Sequence, residues 1–348
     1  MVSYHLTNIK FIDMSAVREE GKKLKVNYIN TENILKKIVC NNDINIHITN
    51  IRCIKTAFLG KDNKWKNVTE NVKRKILPEP DPLIELPRDW DTPLFSVIIP
   101  LYNNENYIVK SVESVLNQTF QSFEIIIVDD KSTDESYNTV KNKYSGHKKI
   151  KIFQNQENIG VYKTQNFALT KTEGQYIALL GSDDIFLPTR LEEDYKWLQT
   201  SKFVISRYQR ISEKTNKVIK TRFSESMISF DKCVLKELGC WLNCQFSGDL
   251  EFLNRIRLVY GKNAINYNNS ILYKAIKKKD KTNLTSVYNL QTSKYRDFKS
   301  YWQILHKHYD KKLDKEDKQK LTNLLPSINI SNEDHLINCK RLHVTIKN

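Results

Sequence analysis

The chain has no apolar run near the ~18–20 residues that a membrane helix requires. A membrane span is not expected, and any membrane contact is expected to be peripheral. The first residues lack the apolar core of a secretory signal. No CxxC pair occurs. The six cysteines (Cys40, Cys53, Cys233, Cys240, Cys244, Cys339) are scattered, and no second pair accompanies Cys240 and Cys244. That excludes a disulfide framework and common zinc modules, and suits a reduced, cytoplasmic setting. There is also no GxGxxG behind a strand and no GxxxxGK[ST]. A bound nucleotide would therefore not rest on a glycine-rich phosphate cradle.

What is present is enough for real cores: 40% hydrophobic and 10% aromatic residues in a chain of 348. The charge is lopsided, with 56 Lys+Arg against 40 Asp+Glu and a net charge of +16. Such a balance favours anionic partners. Nucleic acid is not expected among them, because no single element interleaves basic and aromatic residues. Much of the excess lysine suits solvated surface.

Residues 1–85 contain alternating, β-branched stretches such as "INIHITNIRCIKTAFLG" (44–60) and read as a small β-rich accessory domain. The stretch 76–93 carries five of the eight prolines. Proline continues neither a ladder nor a helix, so this reads as an extended linker. From there to about residue 290 the pattern changes to alternating strands and helices. Continuous apolar runs, "LFSVIIPLY" (94–102) and "FEIIIVDD" (123–130), are the length of strands buried on both faces. Ile108, Val112 and Val115 line one helical face. The order β-α-β-α-β-α-β predicts a mainly parallel, Rossmann-like α/β sheet. Residues 202–223 read as a hairpin turning near Thr215–Asn216. Residues 247–261 read as a helix, and 291–348 as a helical C-terminal extension whose 310–325 segment is solvated.

Ligands of open α/β sheets sit at the carboxyl ends of the strands. Two predicted strands end there in paired acids, Asp129–Asp130 and Asp183–Asp184. Four carboxylates at one edge repel unless something positive or hydrogen-donating lies among them. Hard cations such as Mg²⁺ or Mn²⁺ take oxygen ligands, usually one or two carboxylates plus the phosphates of a substrate. Asp183 and Asp184 suit that role. The plain alternative is a turn before the helix that follows Pro188.

"FSVIIPLYNNENYIVKSVESVLNQTFQSFEIIIVDDKSTDES" together with "ENIGVYKTQNFALTKTEGQYIALLGSDDIFLPTRLE" resembles the nucleotide-binding half of a GT-A fold, family 2 inverting glycosyltransferase. This is the nucleotide-diphospho-sugar transferase class of the spore-coat polysaccharide type. The resemblance spans about 94–195 and weakens toward 285. It implies that Pro100 and Tyr102 line the base pocket, that Asp129 accepts from the base, and that Asp130 shapes that edge. It further implies that Asp183 reaches the ribose and metal-bound water and that Asp184 holds Mn²⁺ or Mg²⁺. "SGDLEFLNRI" (247–256) resembles the segment that carries the catalytic base, which makes Asp249 that base, with Glu251 the runner-up.

The implied reaction moves a sugar from a nucleotide sugar, UDP-sugar foremost, to a hydroxyl of a glycan or protein acceptor. Two positions depart from the family's commonest form. Gly181 stands where another acid is usual and then reads as room for the nucleotide. Gln165 stands where a basic residue is usual. Those departures make a catalytically inactive, nucleotide-binding relative the alternative. Lys277–Lys279 reads as solvated, and Arg190 as a partner of Glu193. The histidines downstream, His306 and His308, lie beyond the matched region. Trp241 and Phe246 are aromatic candidates for an acceptor wall, with core packing the plainer role for both.

Overall fold

The computed structural model describes residues 93–279 and 293–346, and seven short strands before them. The chain divides into two units, Met1–Pro82 and Leu83–Asn348. In the first unit, β1 (Val2–Leu6) pairs in parallel with β4 (Ile44–Ile48). β3 (Ile34–Lys36) lies between β2 (Asn27–Tyr28) and β5 (Cys53–Ile54). β6 (Thr56–Leu59) and β7 (Trp65–Val68) form an antiparallel pair. The proline-rich stretch up to residue 92 lies outside the described residues.

The second unit is built on one eight-stranded sheet. Its parallel part comprises β8 (Phe95–Leu101), β9 (Phe123–Asp129), β10 (Ile150–Gln154) and β11 (Tyr176–Leu179), side by side as β10-β9-β8-β11. The joining helices are α1 (Ile108–Leu116), α2 (Ser136–Tyr144) and α3 (Val161–Leu169). The mainly parallel, Rossmann-like order expected from the sequence is thus present. Side chains of a strand alternate faces, and here the alternation feeds two separate cores. Ile98, Ile126, Val128, Ile177 and Leu179 face one core. Val97, Ile99, Leu101, Ile125, Ile127 and Ala178 face the other. The second core is covered by α1, through Ile108, Val112 and Val115, and by α4 (Arg190–Leu198).

Beyond the short strand β12 (Ile185–Phe186), the looser pattern of the sequence resolves into three long strands of the same sheet. These are β13 (Phe203–Ser212), β14 (Val218–Asp231) and β15 (Asn266–Lys277). β14 runs antiparallel to both β11 and β13, and β15 runs parallel to β13. The expected hairpin turns at Asn216, whose φ is 52°. A short helix, α5 (Leu235–Leu238), ends at Gly239 with φ 72°, the left-handed conformation that glycine adopts most readily.

The first core is covered by α3, α6 (Gly248–Tyr260) and three C-terminal helices. These are α7 (Ser293–Lys307), α8 (Lys315–Leu324) and α9 (Asn332–Arg341). Phe298, Tyr301, Leu305, Leu321 and Leu342 are buried with Trp241, Phe252 and Ile256. The C-terminal segment therefore differs from a solvated extension. It is amphipathic, and its sparse apolar residues complete the core. Trp241 is 1% exposed and packs against Phe230 and Phe252, so it is core and not an acceptor wall.

Candidate active site

The carboxyl edge of β9, β8 and β11 collects the acids singled out in the sequence. Pro100 pairs in register with Val128 and Leu101 with Asp129, so Tyr102 emerges beside the first acid pair. Tyr102 is 44% exposed, an aromatic platform open to solvent. The two acid pairs do not face each other bare. The loop after β8 lies between them. Asn103 donates its backbone N–H to Ser132 Oγ and accepts from the Thr133 N–H with its side chain. Asn104 donates Nδ2 to Ser182 Oγ at 2.6 Å.

Each pair has its own donors, which resolves the repulsion expected from four carboxylates. Asp129 accepts from the hydroxyl and backbone N–H of Ser132 and from Gln154 Nε2. Asp130 accepts from Asn155 Nδ2 and from the backbone N–H groups of Ile159 and Gly160. Both acids are buried. They fix the turn after β9 and the loop that leads into α3. Gly160 closes that loop with φ 86°.

The second pair lies on the turn after β11. Asp184 Oδ2 accepts from Tyr273 Oη at 2.8 Å, and Oδ1 accepts from the Ile276 N–H at 2.9 Å. Burial, and then the neighbouring Asp183 charge, push the Asp184 carboxyl up to about 7. Asp183 pairs with Lys278 Nζ at 3.1 Å. Lys278 is itself buried, donates to Asn104 Oδ1 and lies over the Tyr107 ring at 4.8 Å. Lys278 thus corrects the reading of 277–279 as a solvated run: Lys277 and Lys279 are exposed, but the lysine between them belongs to the site.

Gly181 also changes meaning. A Cβ at that position would lie 2.9 Å from Asp184 Oδ2 and 3.4 Å from Asp183 Oδ1. The missing side chain makes room for the two carboxylates. Gly181→Ala is therefore expected to push the Asp184 carboxylate off its Tyr273 and Ile276 donors. The fold should survive, at a cost of about 1–3 kcal/mol, with weakened cation-dependent nucleotide affinity. Thermal melting and nucleotide titration check this. Unchanged affinity would show that the space is not needed.

Asp249 sits in the first turn of α6, half-buried. Its Oδ1 accepts from Tyr162 Oη at 3.2 Å and from the Leu250 N–H. Burial raises its pKa, and Glu225 adds to the rise. Tyr162 begins α3 directly after the loop that Asp130 anchors, which ties Asp249 to the same edge. The contact needs Gly248, whose Cβ would meet the Tyr162 ring at 3.0 Å.

Glu251, the other carboxylate considered for the base, is fully committed. Arg255 grips it with Nε and Nη2 at 2.9 and 2.6 Å, and His306 Nε2 lies 2.7 Å away. These partners outweigh burial and hold its pKa below the usual range. Arg255 also donates to the Leu238 and Cys240 carbonyls, so the pair staples α6 to the end of α5. Arg255→Leu takes both guanidinium hydrogen bonds from the buried Glu251 carboxylate and is expected to cost about 3–5 kcal/mol in a denaturant titration. A loss below ~1 kcal/mol would contradict this structural role.

Arg190 pairs with Asp194 at 2.6 Å, not with Glu193, because the i+4 position lies on its own buried helix face. Gln165 is buried on α3. Among the described residues, the group of three close metal-capable side chains is His308, Asp314 and Asp317. Hydrogen bonds with Lys307 and His308 pull the Asp317 carboxyl down to about 2, so this is a polar cluster joining α7 to α8.

A hydrogen-bonded acid pair, an open aromatic and a raised-pKa carboxylate share the carboxyl edge of a parallel sheet. Residues 96–256 match the sequence model of Glycosyl transferase family 2. Over that stretch the chain is similar to the glycosyltransferases of that family. An uncharacterized glycosyltransferase of Rickettsia bellii is 41% identical over 120 residues, which is 34% of this chain and 17% of that protein. A chondroitin synthase of Escherichia coli is 36% identical over 141 residues, covering 38% of this chain and 20% of that protein. The chain thus spans a fifth or less of the length of these two relatives. Among solved structures, TarS 1-349 of S. aureus in complex with UDP is similar at 21% identity, with a TM-score of 0.49. That match covers 66% of this chain and 70% of the other. The matched stretch runs from β8 through most of α6. The first unit and α7–α9 lie outside it. Among the described residues, no helix is long and apolar enough to cross a membrane.

Proposed function

We propose that the chain is an inverting glycosyltransferase that moves a sugar from a nucleoside-diphosphate sugar, most simply a UDP-sugar, to a hydroxyl of a glycan or protein acceptor. The observation that carries this reading is the pairing of two different carboxylate environments in the matched stretch. One is the Asp183–Asp184 pair. The other is the separate Asp249, half-buried and hydrogen-bonded by a tyrosine. The relative named chondroitin synthase supports a glycan acceptor.

The acid pair fits a divalent cation. Two carboxylates flank the space left by Gly181, and the raised pKa of Asp184 comes from burial and from the Asp183 charge beside it. Asp184 and Asp183 would hold Mn²⁺ or Mg²⁺, which supplies charge neutralisation for a departing diphosphate. The protein's own part is then positional. Tyr273 and the Ile276 N–H orient Asp184, and Lys278 holds Asp183. Pro100 and Tyr102 form the wall against which a base packs, over a turn fixed by Asp129 and Asp130. Asp249 accepts the proton of the acceptor hydroxyl. As that oxygen bonds to the anomeric carbon, the bond to the diphosphate breaks on the opposite face, so the configuration inverts. A productive complex places the hydroxyl ~2.6–3.2 Å from the carboxylate.

A melting screen tests the reading. UDP with Mn²⁺ at about 100 times its Kd is expected to stabilise the fold by roughly 2.7 kcal/mol, seen as a rise of several degrees. Absence of a rise with every nucleotide would sink it. A rise without hydrolysis or transfer across a donor panel would point instead to an inactive nucleotide-binding module.

A further inference from the structure

A buried lysine needs a reason, because an ammonium leaves water only where an opposite charge and hydrogen-bond acceptors replace it. Lys278 is 6% exposed. Its Nζ lies 3.1 Å from Asp183 Oδ2, donates to Asn104 Oδ1 and stands 4.8 Å from the centre of the Tyr107 ring. A carboxylate, an amide oxygen and an aromatic face thus take the place of its water shell. Asp183 comes from the turn after β11, and Asn104 and Tyr107 from the loop between β8 and α1.

The backbone aims the lysine there. Glu213, just beyond β13, grips the chain on both sides of it. The Glu213 N–H donates to the Lys277 carbonyl at 3.0 Å, and its Oε2 accepts from the Lys279 N–H at 2.9 Å. Its Oε1 accepts from Tyr107 Oη at 2.8 Å, so the same residue holds the ring that faces the ammonium. Asn104 is fixed in turn, by Nδ2 on Ser182 Oγ at 2.6 Å and by its N–H on Ser136 Oγ at 2.7 Å. Lys277 and Lys279, on either side, are exposed.

Resting on the transferase reading above, we infer that Lys278 is the acid pair's built-in counter-ion and trades places with the divalent cation: the ion takes Asp183 as the donor loads, and the ammonium passes from Asp183 to the diphosphate. An ion bound to the Asp183 carboxylate sits ~2.0–2.1 Å from an oxygen, and the ammonium stands 3.1 Å from the same group. Two cations so close, both largely stripped of water, repel. One of them must leave, and the lysine is the one on a flexible stem. A diphosphate gives it an anion to move to. The consequence is a site that takes the cation poorly by itself and well together with a nucleotide. Asp183 meanwhile keeps the ammonium off a nucleotide that arrives without the ion.

The test uses the full chain, with Mn²⁺ and UDP as probes. It compares Lys278→Met with Lys277→Met, which removes the same charge from the exposed neighbour. Without nucleotide, Lys278→Met is expected to bind Mn²⁺ about tenfold or more tightly than wild type. At saturating Mn²⁺ it should bind UDP about tenfold more weakly, and Lys277→Met should stay within about threefold of wild type in both titrations. In EDTA, Asp183→Asn should raise UDP affinity about tenfold by freeing the lysine, but less than about threefold when combined with Lys278→Met. Lys278→Gln, which keeps an N–H donor for Asn104, carries the same expectations if the methionine variant does not fold. Equal shifts in Lys278→Met and Lys277→Met would leave only diffuse charge and overturn the inference. So would an unchanged Mn²⁺ or UDP affinity in Lys278→Met, or an equal gain from Asp183→Asn in both backgrounds, since the lysine would then stay in place. If wild type binds no nucleoside diphosphate, the transferase reading falls by itself, and the Mn²⁺ titration still decides. Tightening confined to Lys278→Met keeps the counter-ion, and its absence removes it.

Discussion

Asp184→Asn is expected to lower kcat for sugar transfer by about 10³-fold or more, and to make the ligand-free protein more stable above pH 7. Both effects come from one carboxylate. Asp184 is pressed against Asp183 in a half-buried turn, and its pKa is pushed up to about 7 from the ordinary 3.8. The folded protein thus keeps a proton on Asp184 that the unfolded chain releases near pH 4. Stability from this group is fully present below that pH and is lost as pH rises through about 7. Asparagine keeps the shape, with its one oxygen for the Ile276 N–H and its amide nitrogen toward Tyr273 Oη, but never ionises, so the variant should not show that loss. The same change removes the negative charge that would hold a divalent cation against a diphosphate. Melting curves across the neutral range, with and without Mn²⁺, separate the two effects. Wild type should gain stability from Mn²⁺ at pH 8, and the variant should not. Transfer activity of the variant within about tenfold of wild type would remove Asp184 from the machinery.

Such a group costs stability where it gives function, and the sequence showed it through its setting. The apolar run before Gly181 marks a buried strand end, and acids there point to a ligand edge. The same logic found β8 and β9, because strands buried on both faces cannot hide their apolar runs. It misjudged residues whose meaning depends on distant partners. Asp129 and Asp130 look like the other pair in sequence. Only the fold brings Ser132, Gln154, Asn155 and the 159–160 backbone onto them, so their part in holding the turn is not visible locally. Lys278 is one of three consecutive lysines, and nothing local separates it from Lys277 and Lys279. Its ion partner, Asp183, comes from a different strand end. Glu251 and Asp249 share the first turn of α6, and spacing alone left both open as the base. Arg255 and His306, the latter arriving from α7, occupy Glu251, and Asp249 is the proposed base. The long strands β13–β15 were hard to read because their outer halves are charged on a face that apolar patterning ignores.

Asp249→Asn is the second large effect. It is expected to reduce transfer to the acceptor by about 10²–10⁴-fold while leaving donor binding and its Mn²⁺ dependence near wild type. The carboxylate must be ionised to take a proton. Burial lifts its pKa above that of an ordinary aspartate, and Glu225 lifts it further. A base with a raised pKa holds a proton more strongly, which helps it accept one from the acceptor. It also switches off earlier on acidification. The transfer rate of wild type should therefore fall at a pH above the ordinary aspartate range, and UDP affinity should not follow the same curve. Tyr162→Phe provides the finer control. It removes the 3.2 Å hydrogen bond to Oδ1 that stabilises the carboxylate, so the acidic limb of the rate profile should move upward in pH while the ring still packs against Gly248. An asparagine variant that transfers sugar at a rate near wild type, or a Tyr162→Phe profile that does not move, would place the base elsewhere. With Glu251 already spent on Arg255 and His306, the half-buried Glu225 that senses Asp249 from β14 would be the next carboxylate to replace.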